Sequence, residues 1–234
     1  MLKPALCAAA LIWANAADAC RLALVLGMDV SSSVSAEEDI LQRGGLAAAL
    51  VAPDVRAAFF ATDDPVALAI FEWSGRYNQE ILQDWVIIDS PATLQAVSNR
   101  IATSRRSHND FPTALGYALG YGATLLQQGP LCDYRTIDIS GDGVNNEGFG
   151  PFEAYGAFPF DAVTVNGLVI NAADFEGEVN LIAYYANEVI HGPGAFVEIA
   201  NGFDDFARAM ELKLVRELGV RIFGAAQPPI RPKG

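Results

Sequence analysis

Apolar and polar positions along the chain fall into blocks of strand length and helix length. Residues 22–28 read LALVLGM, an uninterrupted apolar run of the kind that forms a buried parallel strand, and the run stops at Asp29, Ser31, Ser32 and Ser33. A helix is predicted next. Ser35 and Glu38 have capping-box spacing, and Ile40, Leu41, Leu46, Leu50 and Val51 continue an apolar helical face as far as Pro53. Residues 66–73 and 80–88 are strand-like and are separated by Gly75 and Asn78, which predicts an antiparallel pair. Helical patterns follow at 91–103 and 112–128, the second with small residues at Ala114, Gly116, Ala118, Gly120 and Gly122 that allow close packing. Further strands are predicted at 135–140, 163–170 and 196–200, and further helices at 178–189 and 203–218. Residues 147–160, rich in glycine, proline and aromatics, read as a loop with at most a short helix.

Strands that alternate with helices and are themselves nearly all apolar predict an α/β fold. It is Rossmann-like: a mostly parallel central sheet with helices on both faces and one antiparallel edge strand. Ligands of such sheets bind beyond the carboxyl ends of the strands, where strand order reverses, so chemistry is expected after Met28 and after Ser140. A length of 234 residues with 52% hydrophobic and 18% charged residues suits one folded domain, placed at 20–222, followed by a loose tail at 223–234.

The termini and the charge narrow the role. Met1, Leu2 and Lys3, the short apolar run at 5–14 and the small residues Ala17 and Ala19 form the pattern of a secretory signal over 1–19, with Ala16 as an alternative cleavage point. Export follows, to the periplasm or the medium, and Cys20 at the new N-terminus leaves lipidation as an alternative. No other stretch is apolar for long enough to span a membrane. The net charge of −13, with lysine only at Lys3, Lys213 and Lys233, repels nucleic acid and anionic lipid.

The unusual residues sit at the two expected places. Asp29, Ser31 and Ser33 follow the first strand at alternate positions, Asp142 follows the strand 135–140, and Thr113 comes after the polar loop 107–110. Carboxylates and hydroxyls without thiolates or clustered imidazoles suit Mg²⁺, Mn²⁺ or Ca²⁺ and disfavour zinc or copper.

Asp-x-Ser-x-Ser after an apolar strand, a downstream Thr, and Asp in Ser140-Gly141-Asp142-Gly143 together resemble the metal-ion-dependent adhesion site of the von Willebrand factor type A domain. Stretches such as FEWSG, DISGDGVNN, TVNGLVI and FARAMELKLVREL resemble an uncharacterised group of exported bacterial proteins with that domain. The resemblance implies that Asp29, Ser31, Ser33, Thr113 and Asp142 hold a divalent cation, Mg²⁺ (or Mn²⁺, with Ca²⁺ as a third choice). It also implies that an acidic group of a partner protein completes the site. Asp110 departs from the family pattern, in which small residues precede the Thr.

Two functions of different class follow. One is a non-enzymatic binding module in which the cation bridges to a partner's carboxylate. The alternative is a metal-dependent hydrolase with His108 or Asp110 as base, but G-x-S-x-G, Walker and dinucleotide-binding strings are all missing. Phe71, Trp73, Tyr184 and Tyr185 read as core. Once the leader is removed, Cys20 and Cys132 remain, nine positions before Asp29 and ten before Asp142. On adjacent parallel strands they fall at similar depth, which predicts a disulfide.

Overall fold

Ten consecutive buried residues make β1 (Cys20–Asp29) the centre of a six-stranded sheet. Its side chains divide with a period of two. Leu22, Leu24, Leu26 and Met28 enter one core cluster, and Ala23 and Val25 enter the other. The computed structural model describes residues 20–171 and 180–224. The leader predicted at 1–19, the first two residues of the helix predicted at 178–189 and residues 225–234 of the predicted tail lie outside them.

The sheet has the order β3-β2-β1-β4-β5-β6. Its other members are β2 (Val66–Trp73), β3 (Gln79–Ile88), β4 (Cys132–Gly141), β5 (Val163–Ile170) and β6 (Val197–Ala200). Every pairing is parallel except β2 with β3, the antiparallel edge. One face is covered by α1 (Ala36–Val51), α2 (Pro53–Phe59), α3 (Pro91–Thr103) and α7 (Phe206–Gly224). The other is covered by α4 (Leu115–Gln128), α5 (Pro151–Ala157) and α6 (Leu181–Tyr184), the last running into a π-helical turn at Tyr185–Val189. Phe71, Trp73 and Tyr185 are fully buried, as the sequence suggests.

The disulfide joins Cys20 to Cys132. These residues face each other in the β1–β4 register with Cα atoms 4.6 Å apart, at the edge opposite Asp29.

The predicted face of α1 is wrong in part. The Ser35–Glu38 capping box forms, but Ile40 is 69% and Leu41 41% exposed, whereas Asp39, Gln42 and Arg43 are buried. Burial is tolerated because each polar group has a partner. Gln42 Nε2 donates to the Asp29 carbonyl (2.8 Å). Arg43 Nε donates to both Asp39 carboxylate oxygens (2.9 Å), and its Nη atoms reach Ser104 Oγ and the Glu72 carboxylate. Other boundaries move as well. The sequence pattern gives no sign of α2, which starts with Pro53 at its first position. The helix expected from 112 begins at Leu115, because Thr113 and Ala114 are engaged by neighbouring loops.

Candidate metal centre

Asp29 ends β1, and Asp142 follows the last residue of the adjacent β4. The chain leaves this pair of central strands in opposite directions across the sheet, so the two carboxylates flank the point where strand order reverses. The turn after β1 is held by Ser31 N–H donating to Asp29 Oδ1 (2.8 Å) and by Val34 N–H donating to the Ser31 carbonyl (3.0 Å). Ser31 is thereby buried, while Ser32 is turned out to solvent and Ser33 comes back toward Asp142.

The structure brings all five predicted residues together. Thr113 Oγ1 donates to Ser31 Oγ (3.3 Å), Ser31 Oγ lies 3.0 Å from Ser33 Oγ, and Ser33 Oγ donates to Asp142 Oδ1 (2.8 Å). Ser33, Thr113 and Asp142 line a depression of about 240 Å³ together with Gly143, Val144, Asn146 and Leu181.

Asp29 carries the electrostatic anomaly. Its carboxylate is fully buried, and Oδ2 has no hydrogen-bond partner. Burial, and then the charge of Asp142, push its carboxyl up to about 8 against the opposing pull of the Ser31 N–H. The charge of Arg106 offsets this only in part, and Oδ2 is left without a hydrogen-bond donor. The donor set therefore fits a hard divalent cation. Among the described residues there is no group of three or more His, Cys, Asp or Glu that could hold a metal.

Space beneath Asp29 is reserved by a glycine. A Cβ on Gly141 would lie 2.9 Å from Asp29 Oδ2 and 2.5 Å from Tyr185 Oη, and Gly167 gives the Tyr185 ring similar room. Tyr185 Oη is likewise buried without a partner.

Several residues that shape the site escape the sequence pattern. The Arg106 guanidinium donates to four backbone carbonyls: Val30 and Ser31 through Nη2 (both 2.7 Å), Val34 through Nη1 (2.5 Å) and His108 through Nε (2.5 Å). Asn146 Oδ1 accepts from the Thr113 N–H (2.9 Å), and Asn146 N–H donates back to the Thr113 carbonyl (2.9 Å). Gln42 holds the Asp29 carbonyl. The one available signal was Arg105-Arg106 just ahead of the site in a strongly acidic chain. Of the two proposed bases, Asp110 is exposed and the His108 ring packs edge-on against Phe111. A cleft of about 770 Å³ adjoins the site between α1 and the loop 104–109.

The family described as a protein of unknown function (DUF1194) matches residues 19–222. No curated protein matches. Among solved structures, proximal thread matrix protein 1 from the mussel byssus is 15% identical with a TM-score of 0.60, over 86% of this chain and 48% of that one. The same protein has been solved with a zinc-occupied MIDAS motif. A von Willebrand factor type A protein from Catenulispora acidiphila is 16% identical with a TM-score of 0.57, over 86% of this chain and 43% of the other. The pilus adhesin SpaC from Lactobacillus rhamnosus GG is 15% identical with a TM-score of 0.59, over 88% of this chain and 31% of that one. The chain thus spans half or less of the length of these structures. At such identity the likeness shows the fold, which is that of the von Willebrand factor type A domain.

Proposed function

The chain belongs to the family described as a protein of unknown function (DUF1194), and on that premise we propose that it is a divalent-cation-dependent binding module rather than an enzyme. Asp29, Ser31, Ser33, Thr113 and Asp142 would hold Mg²⁺ or Mn²⁺, with Ca²⁺ as a third choice. The observation that carries this reading is the buried, unpartnered Oδ2 of Asp29 beside a chain of hydroxyls that ends on a second carboxylate.

A cation bound there supplies a local positive centre on a chain whose net charge is −13. Three of the five side chains are neutral, so at most two negative charges come from the protein and attraction for an external anion remains. The partner is accordingly a protein that presents a carboxylate. Around it the chain's own residues act as a fixed frame: Arg106 and Gln42 hold the backbone of the Asp29 turn, and Asn146 holds Thr113. The zinc-occupied motif of the mussel protein and the adhesin role in the name of SpaC support the same reading by analogy of fold.

The protein is proposed to act outside the cytoplasm, in the periplasm or the medium. The leader pattern at 1–19 supports this, as does the disulfide, which persists in oxidising compartments. No helix among the described residues is long and apolar enough to cross a membrane.

The test is an array of acidic peptides probed with the exported chain in Mg²⁺. Retention on Asp- or Glu-bearing peptides is expected, with loss in EDTA, in Asp29→Ala, and when the acid is replaced by its amide. Retention that is indifferent to all three would overturn the reading.

A further inference from the structure

A second buried polar cluster lies between the sheet and α7. Lys213 is 0% exposed, and it shares its pocket with Asp138 of β4 (1%), Asn166 of β5 (2%) and Glu217 of α7 (3%). Lys213 Nζ lies 2.7 Å from Asp138 Oδ1 and donates to Glu217 Oε1 (2.8 Å). Asn166 Nδ2 donates to the same Glu217 oxygen (2.6 Å), and Asn166 Oδ1 accepts from the Phe196 N–H (3.1 Å). The Phe196 ring closes the pocket, with Lys213 Nζ 5.2 Å from its centroid and Arg216 stacked on its outer side.

This is a poor design for a structural ion pair. Two acids face one amine, so one carboxyl is left uncompensated in a dry interior. Although the amine touches Asp138, neither oxygen of Asp138 has a partner of hydrogen-bond geometry, and Glu217 Oε2 has none either. Replacing a buried ion pair by well-packed apolar residues is often neutral or stabilising. Its parts are instead those of an amide condensation: an amine held against a carboxyl, and a second acid within reach of that amine, all buried from solvent.

We propose that Lys213 and Asp138 join through an intramolecular amide bond, formed by the folded chain itself with Glu217 as proton carrier. Glu217 takes a proton from Lys213 Nζ, and the neutral amine attacks Cγ of protonated Asp138. The Cγ–Nζ bond forms, the Cγ–O bond breaks, and the departing oxygen leaves as water after receiving its proton through Glu217. Lysine ammonium, neutral Asp138 and anionic Glu217 become a neutral amide, a neutral Glu217 and one water. Atoms and charge balance without an oxidant or co-reactant. Burial pushes the Asp138 carboxyl up to about 7, against the pull of Lys213, which favours the protonated acid that the step requires. The product removes every formal charge from the pocket and ties α7 to the centre of the sheet.

Mass spectrometry of the purified, reduced and alkylated full chain tests this, together with proteolytic mapping under denaturing conditions. The expected result is a chain lighter by one water, about 18 Da, and a branched peptide joining the segment around Asp138 to that around Lys213. Lys213→Arg restores the full mass, and Glu217→Gln slows the loss. The mapping of the wild-type chain decides by itself if these variants fail to fold. Full mass with both peptides separate after prolonged incubation would overturn the proposal. So would a branch through Glu217, or one through Asn166 with loss of ammonia.

Discussion

Arg106 Nη2 sits 2.7 Å from the carbonyl oxygens of both Val30 and Ser31, so one guanidinium fixes the backbone on either side of the first hydroxyl in the site. With Val34 and His108 also bound, four of its five N–H donors are spent on the chain's own carbonyls. Arg106 is therefore a positioning residue for the Asp29 turn. Lysine cannot reproduce a planar fork that meets four carbonyls. Arg106→Lys and Arg106→Ala should lower Mn²⁺ affinity by about 10- to 100-fold, the usual cost of losing an outer partner of a metal site. Calorimetric titration of the folded variants measures it, and unchanged affinity would remove Arg106 from the account.

Gly141 is expected to tolerate no side chain. In Gly141→Ala the new methyl group would sit 2.5 Å from Tyr185 Oη and 2.9 Å from Asp29 Oδ2, and both neighbours are buried. Overpacking of this kind costs about 1–3 kcal/mol. Because the nearer clash is with the hydroxyl, Tyr185→Phe should recover part of the loss in the double variant. Urea unfolding of the four proteins gives the coupling directly, and strictly additive effects would contradict the geometry.

The disulfide closes a loop with a sequence separation of 112 between two strands that already pair. Its main effect is on the unfolded chain, and it should contribute about 3–5 kcal/mol. Reduced protein, or Cys132→Ser, should unfold at lower denaturant with the fold and the candidate metal site intact, because Cys20 and Cys132 begin β1 and β4 whereas Asp29 ends β1. Denaturant midpoints that do not change on reduction would refute this.

β1, β2 and β5 were legible because most of their side chains are apolar on both faces. Residues 66–73 and 163–170 are bounded by the sequence where the structure bounds them. The candidate site was legible as a set of residue types at strand ends, and the structure joins Thr113, Ser31, Ser33 and Asp142 through their side-chain oxygens, with Asp29 tied to the Ser31 N–H. What stayed hidden depends on partners distant in sequence. Asp39, Gln42 and Arg43 read as the polar face of α1, yet they turn inward because Glu72, Ser104 and the Asp29 carbonyl await them. Arg106 lies in a loop where no periodicity applies. Lys213 and Glu217 stand four apart on α7, and only the sheet shows Asp138 beneath them.

Titration of Mn²⁺ into the exported chain and into Asp29→Ala tests the central claim most directly. The account predicts one site in the wild type, weaker binding in Asp142→Asn, and no measurable binding in Asp29→Ala, whose circular dichroism and unfolding remain those of a folded protein. Equal Mn²⁺ affinity in the wild type and in Asp29→Ala would contradict it.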